Sequence, residues 1–249
     1  MGKVAFVTGA SRGIGLGLAS LLAARDDFEA VYAGSRAPEQ SQGLSELMER
    51  FGARVRPLEI DVRSESSIVW AAEKLASEQR ALHLLICAAG VLHEGTMAPE
   101  KRLEQVHQTS MEHAFAVNAY GPMLTARHLL PLLTHDERAV IANISAHAGS
   151  ISDNRIGGWY SYRAAKAAQN MFTHTLAIEL SRRARNVICV ALDPGMVDTD
   201  LSRPYRRYVH QEDVVSPEQA AARLLSLIDS LSPEQSGQFL TWDGTILPW

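Results

Sequence analysis

Cysteine is almost missing from this chain of 249 residues, which has only Cys87 and Cys189. Both sit in short apolar runs, Leu84–Cys87 and Val187–Leu192, and read as small buried hydrophobes. That leaves no disulfide framework and no thiolate cluster, and no metal site is expected. Long hydrophobic runs are absent as well. None approaches the ~20 residues that a membrane-spanning helix needs, so no membrane partner is expected. Nor is one sign of charge in excess, because 24 Lys and Arg against 28 Asp and Glu give a net charge of -4. Without a long basic run, that balance excludes a nucleic-acid footprint. The clusters Arg182, Arg183, Arg185 and Arg203, Arg206, Arg207 read as solvated surface. No secretory leader precedes the first apolar run, Val4–Val7, so a cytoplasmic protein is expected.

What is present is an ordinary globular composition, 46% hydrophobic and 21% charged, enough for one substantial core. Seven short apolar runs alternate with segments of helical period. The runs are Val4–Val7, Ala30–Ala33, Val55–Ile60, Leu82–Ala89, Ala139–Ile144, Asn186–Leu192 and Gln238–Thr241. Helices are expected near Ile14–Ala24, Leu44–Phe51, Ser64–Glu78, Met111–Leu133, Tyr162–Arg183 and Pro217–Leu231. This alternation predicts βαβ units in one α/β domain over residues 1–249, with a doubly wound, mostly parallel sheet of about seven strands. Thr109 with Glu112 fits a capping box, and Ser216-Pro217 fits an N-cap followed by proline at the first helical position. The polar, aromatic stretch Arg203–Asp213 reads as a surface loop or a lid, whose Tyr205 and Tyr208 line a pocket or only cover it.

Thr8-Gly9-Ala10-Ser11-Arg12-Gly13-Ile14-Gly15 follows the first strand and opens the first helix. Glycine there permits positive φ and lets backbone N–H groups approach a pyrophosphate at a helix N-terminus. The strand–turn–helix context makes Gly9, Ser11, Arg12, Gly13, Ile14 and Gly15 candidates for dinucleotide binding in a Rossmann-type fold. The second strand ends in Ala33-Gly34-Ser35-Arg36, with no carboxylate before Glu39. A ribose 2′-hydroxyl calls for an acid at this place and a 2′-phosphate for a cation. Ser35, Arg36 and Arg12 therefore favour NADP(H).

Tyr162 and Lys166 stand four apart in a helical segment and share one face. A carbonyl that accepts hydride must be protonated on oxygen, and a phenol of pKa ~10 is a poor acid near neutrality. A nearby ammonium favours the phenolate and lowers that pKa. Tyr-x-x-x-Lys alone is a weak signal, and Tyr160 has only Ala164 at the matching place.

Taken together and in this order, the TGASRGIG turn, YRAAK and DPGMVDTD resemble the classical short-chain dehydrogenase/reductase family over essentially the whole chain. GSISDN, GGWYSYRAAK and the ending WDGTILPW resemble its C-factor-like (sniffer-like) carbonyl reductase branch. The resemblance implies that Tyr162 is the general acid and that Lys166 lowers its pKa and holds the nicotinamide ribose. It implies that Asn118 anchors a water in a proton relay and that Asp61 and Val62 flank the adenine. It places Ala88 and Gly90 in the turn after the fourth strand, and Pro194, Gly195, Val197 and Thr199 on the nicotinamide carboxamide. It implies a small carbonyl or alcohol substrate. A homodimer or homotetramer is implied too, through the helix before the tyrosine and the one carrying it, where Ala164, Ala165, Ala167 and Ala168 would allow close approach.

Two departures stand out. Cys87-Ala88-Ala89-Gly90 lacks the asparagines that brace this turn in the family, which puts its local stability in doubt. Asn143-Ile144-Ser145-Ala146 puts alanine where a serine usually meets the substrate carbonyl. Ser145 takes that role only if the strand end bends, since adjacent strand residues face opposite ways. Ser150, Ser152 and His147 are the other candidates. The expectation is an NADP(H)-dependent carbonyl reductase or alcohol dehydrogenase, and the alternative is an NADP(H)-binding sensor or signalling protein with weak or vestigial activity.

Overall fold

A computed structural model describes residues 2–208 and 210–249, without the side chains of residues 206–208 and 211. Its strands are β1 (Lys3–Thr8), β2 (Phe28–Ser35), β3 (Val55–Glu59), β4 (Leu84–Cys87), β5 (Ala139–Ile144), β6 (Val187–Asp193) and β7 (Phe239–Thr241). They form one sheet in the order β3-β2-β1-β4-β5-β6-β7, parallel at every pairing. The central strands are apolar on both faces, as a parallel sheet covered by helices requires. On one face, Leu18 and Leu22 of α1 (Gly13–Ala23), Leu44 of α2 (Gln42–Phe51) and Leu224 of α7 (Pro217–Ser230) pack on Val7, Val31 and Val190. On the other, Ile68 of α3 (Glu65–Glu78) packs with Phe6, Leu85 and Ile141. The same layer holds Leu129 of α5 (Gly121–Leu133) and Leu180 of α6 (Tyr160–Arg183). Cys87 and Cys189 are free and buried within strands.

The chain runs outward from β1 to β3 and then returns to the other side of β1 as β4. Helices on the two sides therefore diverge at the β1/β4 boundary, and a crevice opens beyond the carboxyl ends of these strands, where open α/β sheets bind ligands. Among the described residues, no helix is long and apolar enough to cross a membrane.

Several expected elements change in detail. The fourth strand is shorter than Leu82–Ala89, because Ala89 leaves the ladder to close against Gly9, where a Cβ would lie 2.7 Å from the Ala89 backbone. The single helix expected over Met111–Leu133 is three pieces: α4 (Gln108–Phe115), a π-helical turn at Ala116–Tyr120, and α5. Thr109 does not cap α4. His107, in extended conformation, is the N-cap residue, and Glu112 accepts instead from the Gln108 side chain at 2.7 Å. The cap at Ser216 forms, as a full capping box with Gln219. The stretch Arg203–Asp213 contains two short 3₁₀ turns, Arg203–Tyr208 and Gln211–Asp213. The side chains of Arg206, Arg207 and Tyr208 lie outside the described residues.

Candidate active site

A cleft of about 710 Å³ follows the carboxyl ends of the strands, and the glycine turn forms one wall. Gly9 and Gly13 take φ of 71° and 57°, a region that costs little only for glycine. A Cβ on Gly15 would sit 2.2 Å from the Gly9 carbonyl oxygen, so the turn folds back tightly onto the start of α1. No side chain caps that start, and no acid occupies the first turn. The N–H groups of the first turn therefore face the cleft.

At the end of β2, the Ser35 hydroxyl is buried beside the cleft with no hydrogen-bond partner among the described residues. Arg36 reaches across to Glu94, Nη2 to Oε1 at 3.1 Å, and Arg12 lies 3.6 Å from Asp200. Burial would raise the Glu94 carboxyl, but Arg36 and His113 (2.8 Å) together draw it below its ordinary value. Asp61 is gripped by the Arg63 guanidinium at 2.6–3.1 Å, which holds its carboxyl below its usual range. Both Asp61 and Val62 face the cleft.

Past β4, Ala88 and Gly90 continue the lining. The bracing that asparagines would supply comes instead from Asn118. Its Oδ1 accepts from Val91 N at 3.0 Å, and its Nδ2 donates to Val91 O at 2.8 Å. Asn118 is fully buried in the π-helical turn, beneath the cleft surface. The widened turn lets one side chain serve both main-chain groups of a segment far off in sequence.

Tyr162 and Lys166 lie on successive turns of α6, buried at the cleft floor, with Lys166 Nζ 5.8 Å from the centre of the Tyr162 ring. Their titration departs from the sequence-based expectation. Burial, and secondarily the charge of Asp193, pushes the phenol above its ordinary value, and burial lowers the lysine to about 7. The reason is burial, which shuts both groups away from water. Nζ donates only to neutral acceptors, Ile144 O at 2.7 Å and Gln169 Oε1 at 3.1 Å.

Ser145 borders the cleft, and its hydroxyl donates to Asn170 Oδ1 at 2.7 Å, under α6. Ser150 accepts from Asp153 N, and Ser152 donates to Trp249 O, so both hydroxyls are engaged within the following loop. His147 borders the cleft with its ring paired to Asp153. Pro194, Gly195, Val197 and Thr199 line the wall beyond β6, and the Thr199 methyl group approaches Gly13.

Three further cleft residues were not singled out from the sequence. Glu94 is the partner of Arg36. Asp193, buried, accepts from His147 N at 3.0 Å, and burial pushes its carboxyl up. Trp159 adopts φ of 53°, unusual for a bulky side chain, and packs edge-on against Tyr162 and Tyr205 at 6.1 and 4.9 Å.

Comparison with known proteins decides the family. A profile described as short chain dehydrogenase matches residues 3–209. The chain belongs to that family. This short-chain dehydrogenase is similar to the NADPH-bound carbonyl reductase from chicken fatty liver. The two share 30% identity with a TM-score of 0.87, over 100% of this chain and 99% of the other. It is also similar to the carbonyl reductase Sniffer of D. melanogaster, with 27% identity and a TM-score of 0.86 over 100% of both chains. The C-signal protein of Myxococcus xanthus is 34% identical over 59% of this chain and 83% of its own length. The branch suggested by the sequence is therefore shown among its relatives.

Proposed function

We propose that this short-chain dehydrogenase is an NADP(H)-dependent carbonyl reductase or alcohol dehydrogenase. The observation that carries this reading is the placing of Tyr162 and Lys166 at the floor of a cleft whose far end holds the glycine turn, Arg12 and Arg36. The cleft residues fit the dinucleotide. The glycine turn is drawn so tight that a Cβ at Gly9 would strike the Ala89 backbone and one at Gly15 the Gly9 carbonyl oxygen, and the buried Ser35 hydroxyl lacks a partner among the described residues beside Arg36. Arg36, Arg12 and Ser35 would hold the 2′-phosphate, the start of α1 the pyrophosphate, and the Pro194–Thr199 segment the nicotinamide. When bound, NADPH supplies the hydride.

The chain itself manages the proton. A phenol raised by burial keeps its hydrogen until a carbonyl oxygen gains charge beside it, which suits Tyr162 as the acid in reduction. Lys166, one turn on, stabilises the phenolate left behind when it carries its own proton. Asn118 fixes the segment opposite, and Trp159 walls the space above Tyr162. Mixing the protein with NADPH and a panel of aldehydes, ketones and diones is the test. Turnover is expected on at least one, and none above a Tyr162→Phe control overturns the proposal.

A second reading, an NADP(H)-binding sensor or signalling protein with weak reductase activity, is favoured by one observation. Ala146 offers no hydroxyl to the cleft, and the Ser145 hydroxyl is committed to Asn170. Losing one preorganised donor costs about 10²–10³ in kcat in a well-studied hydrolase. For the reductase reading we expect Ala146→Ser to raise kcat by about tenfold or less. A gain of about 10² or more supports the sensor reading.

A further inference from the structure

Arg36 is the chain's cation for a 2′-phosphate, yet its guanidinium is already engaged. It bridges the cleft from the end of β2 to Glu94, in the loop after β4, at 3.1 Å. The second Glu94 oxygen lies 2.8 Å from His113 Nε2 of α4 without hydrogen-bond alignment, and the Glu94 backbone is held in a turn by paired bonds with Met97, so the carboxylate is kept near the far wall. Asp61 and Arg63 close off the same mouth, but they satisfy each other through a bidentate pair. Arg12 also has a carboxylate near it, Asp200, but at 3.6 Å, so Arg36 and Glu94 are the tighter of the two pairs that a phosphate would have to open. Any phosphate taken by Arg36 must share the guanidinium with Glu94 or displace it, and a carboxylate beside a phosphate dianion repels it.

We propose that Glu94 is a positioning residue for coenzyme choice: it tethers Arg36 across the cleft and so limits the preference for NADPH over NADH. The inference rests on the 2′-phosphate reading of Arg36. Its size follows from exposure. The two side chains are 53% and 43% exposed, and a pair of that kind is weak enough for a phosphate to replace. Removing the tether leaves Arg36 free for the phosphate and removes a repulsion. NADH, which lacks that phosphate, gains nothing from either change.

The test is a double-mutant cycle of Glu94→Gln and Arg36→Ala, read as Kd for NADPH and for NADH by fluorescence titration. Glu94→Gln is expected to tighten NADPH by about three- to fivefold, the strength of an exposed ion pair. NADH should stay within about twofold, and most of the NADPH gain should be lost in the Arg36→Ala background, leaving only the part due to repulsion. An unchanged or weakened NADPH affinity in Glu94→Gln overturns the tether. So does a gain that persists undiminished without Arg36, which would mean that Glu94 acts by direct repulsion alone. If Arg36→Ala by itself weakens NADPH and NADH alike, the 2′-phosphate reading falls and the tether falls with it. The first two failures leave the 2′-phosphate reading standing, so the two claims are separable. Equal melting temperatures of Glu94→Gln and wild type check that the fold is unchanged.

Discussion

At the nucleotide end of the cleft, Arg36 and Glu94 meet in the open, and Arg12 stands 3.6 Å from Asp200 with its side chain 75% exposed. At the reaction end, Lys166 and Tyr162 are only 3% and 7% exposed. There Lys166 is held by a carbonyl and an amide, not by a carboxylate. Exposed pairs of the first kind contribute little to stability and exchange partners readily. Buried groups of the second kind shift their titration instead of finding counter-ions. Under the proposed function the contrast is a division of labour: the wet end trades one anion for another, and the dry end holds a proton in a set place.

If the division holds, substitutions at the two ends should move different quantities. The largest effect belongs to Tyr162→Phe, which removes only the hydroxyl. It should lower kcat by about 10²–10⁴, the usual contribution of a positioned general acid. NADPH affinity should stay within about threefold, measured by fluorescence titration beside steady-state kinetics. A comparable loss of binding would break the separation of the two ends.

Arg36→Ala is the reciprocal probe. It should weaken NADPH by about ten- to a hundredfold, in line with a charge-assisted contact to phosphate. NADH should change little, and kcat at saturating NADPH should stay close to wild type. Equal weakening of both coenzymes would reject the 2′-phosphate assignment.

Much of this molecule was legible before its structure, and the parts that were not share a cause. β5 occupies the span read from its apolar run, because neighbouring strands on both sides demand apolar residues and the run has sharp polar ends. The glycine turn was equally plain, since positive φ at Gly9 and Gly13 is a local requirement. The break between α4 and α5 was invisible, because the sequence keeps helical character through Asn118. What widens the turn there is a grip on Val91, 27 residues earlier. Asn118 was nonetheless marked through family resemblance, although its side-chain bonds to Val91 were not foreseen. The Thr109 cap failed for a local reason: an N-cap needs extended backbone, and His107 takes that conformation one residue before α4 begins. Glu94 could not be read at all. The end of β2 lacks an acid in sequence, but the fold brings one there from 58 residues away. Ser145 stayed ambiguous because the parity of a strand end is settled only by its surroundings, here Asn170 on α6.

The smallest effect sharpens the comparison at the dry end. Lys166 titrates at about 7 in the folded protein, against ~10.4 for an unfolded lysine. Between these values the unfolded chain binds a proton that the folded chain does not. Stability contributed by this site therefore rises with pH across that window, and burying the charged form is a burden below pH 7. Replacing Lys166 with methionine removes the burden but also forfeits the hydrogen bonds to Ile144 O and Gln169. The expected balance in the ligand-free protein is a rise of about 2–6 °C in Tm at pH 6. That rise should shrink steadily as melts are repeated toward pH 9. At the wet end, Arg36→Ala should leave Tm nearly flat over the same range, because its exposed pair with Glu94 contributes little to stability. A Tm that falls at pH 6 in Lys166→Met would mean that the two hydrogen bonds outweigh the buried charge. The lysine would then be a structural clamp in the resting protein, and the two ends would differ less than their burial suggests.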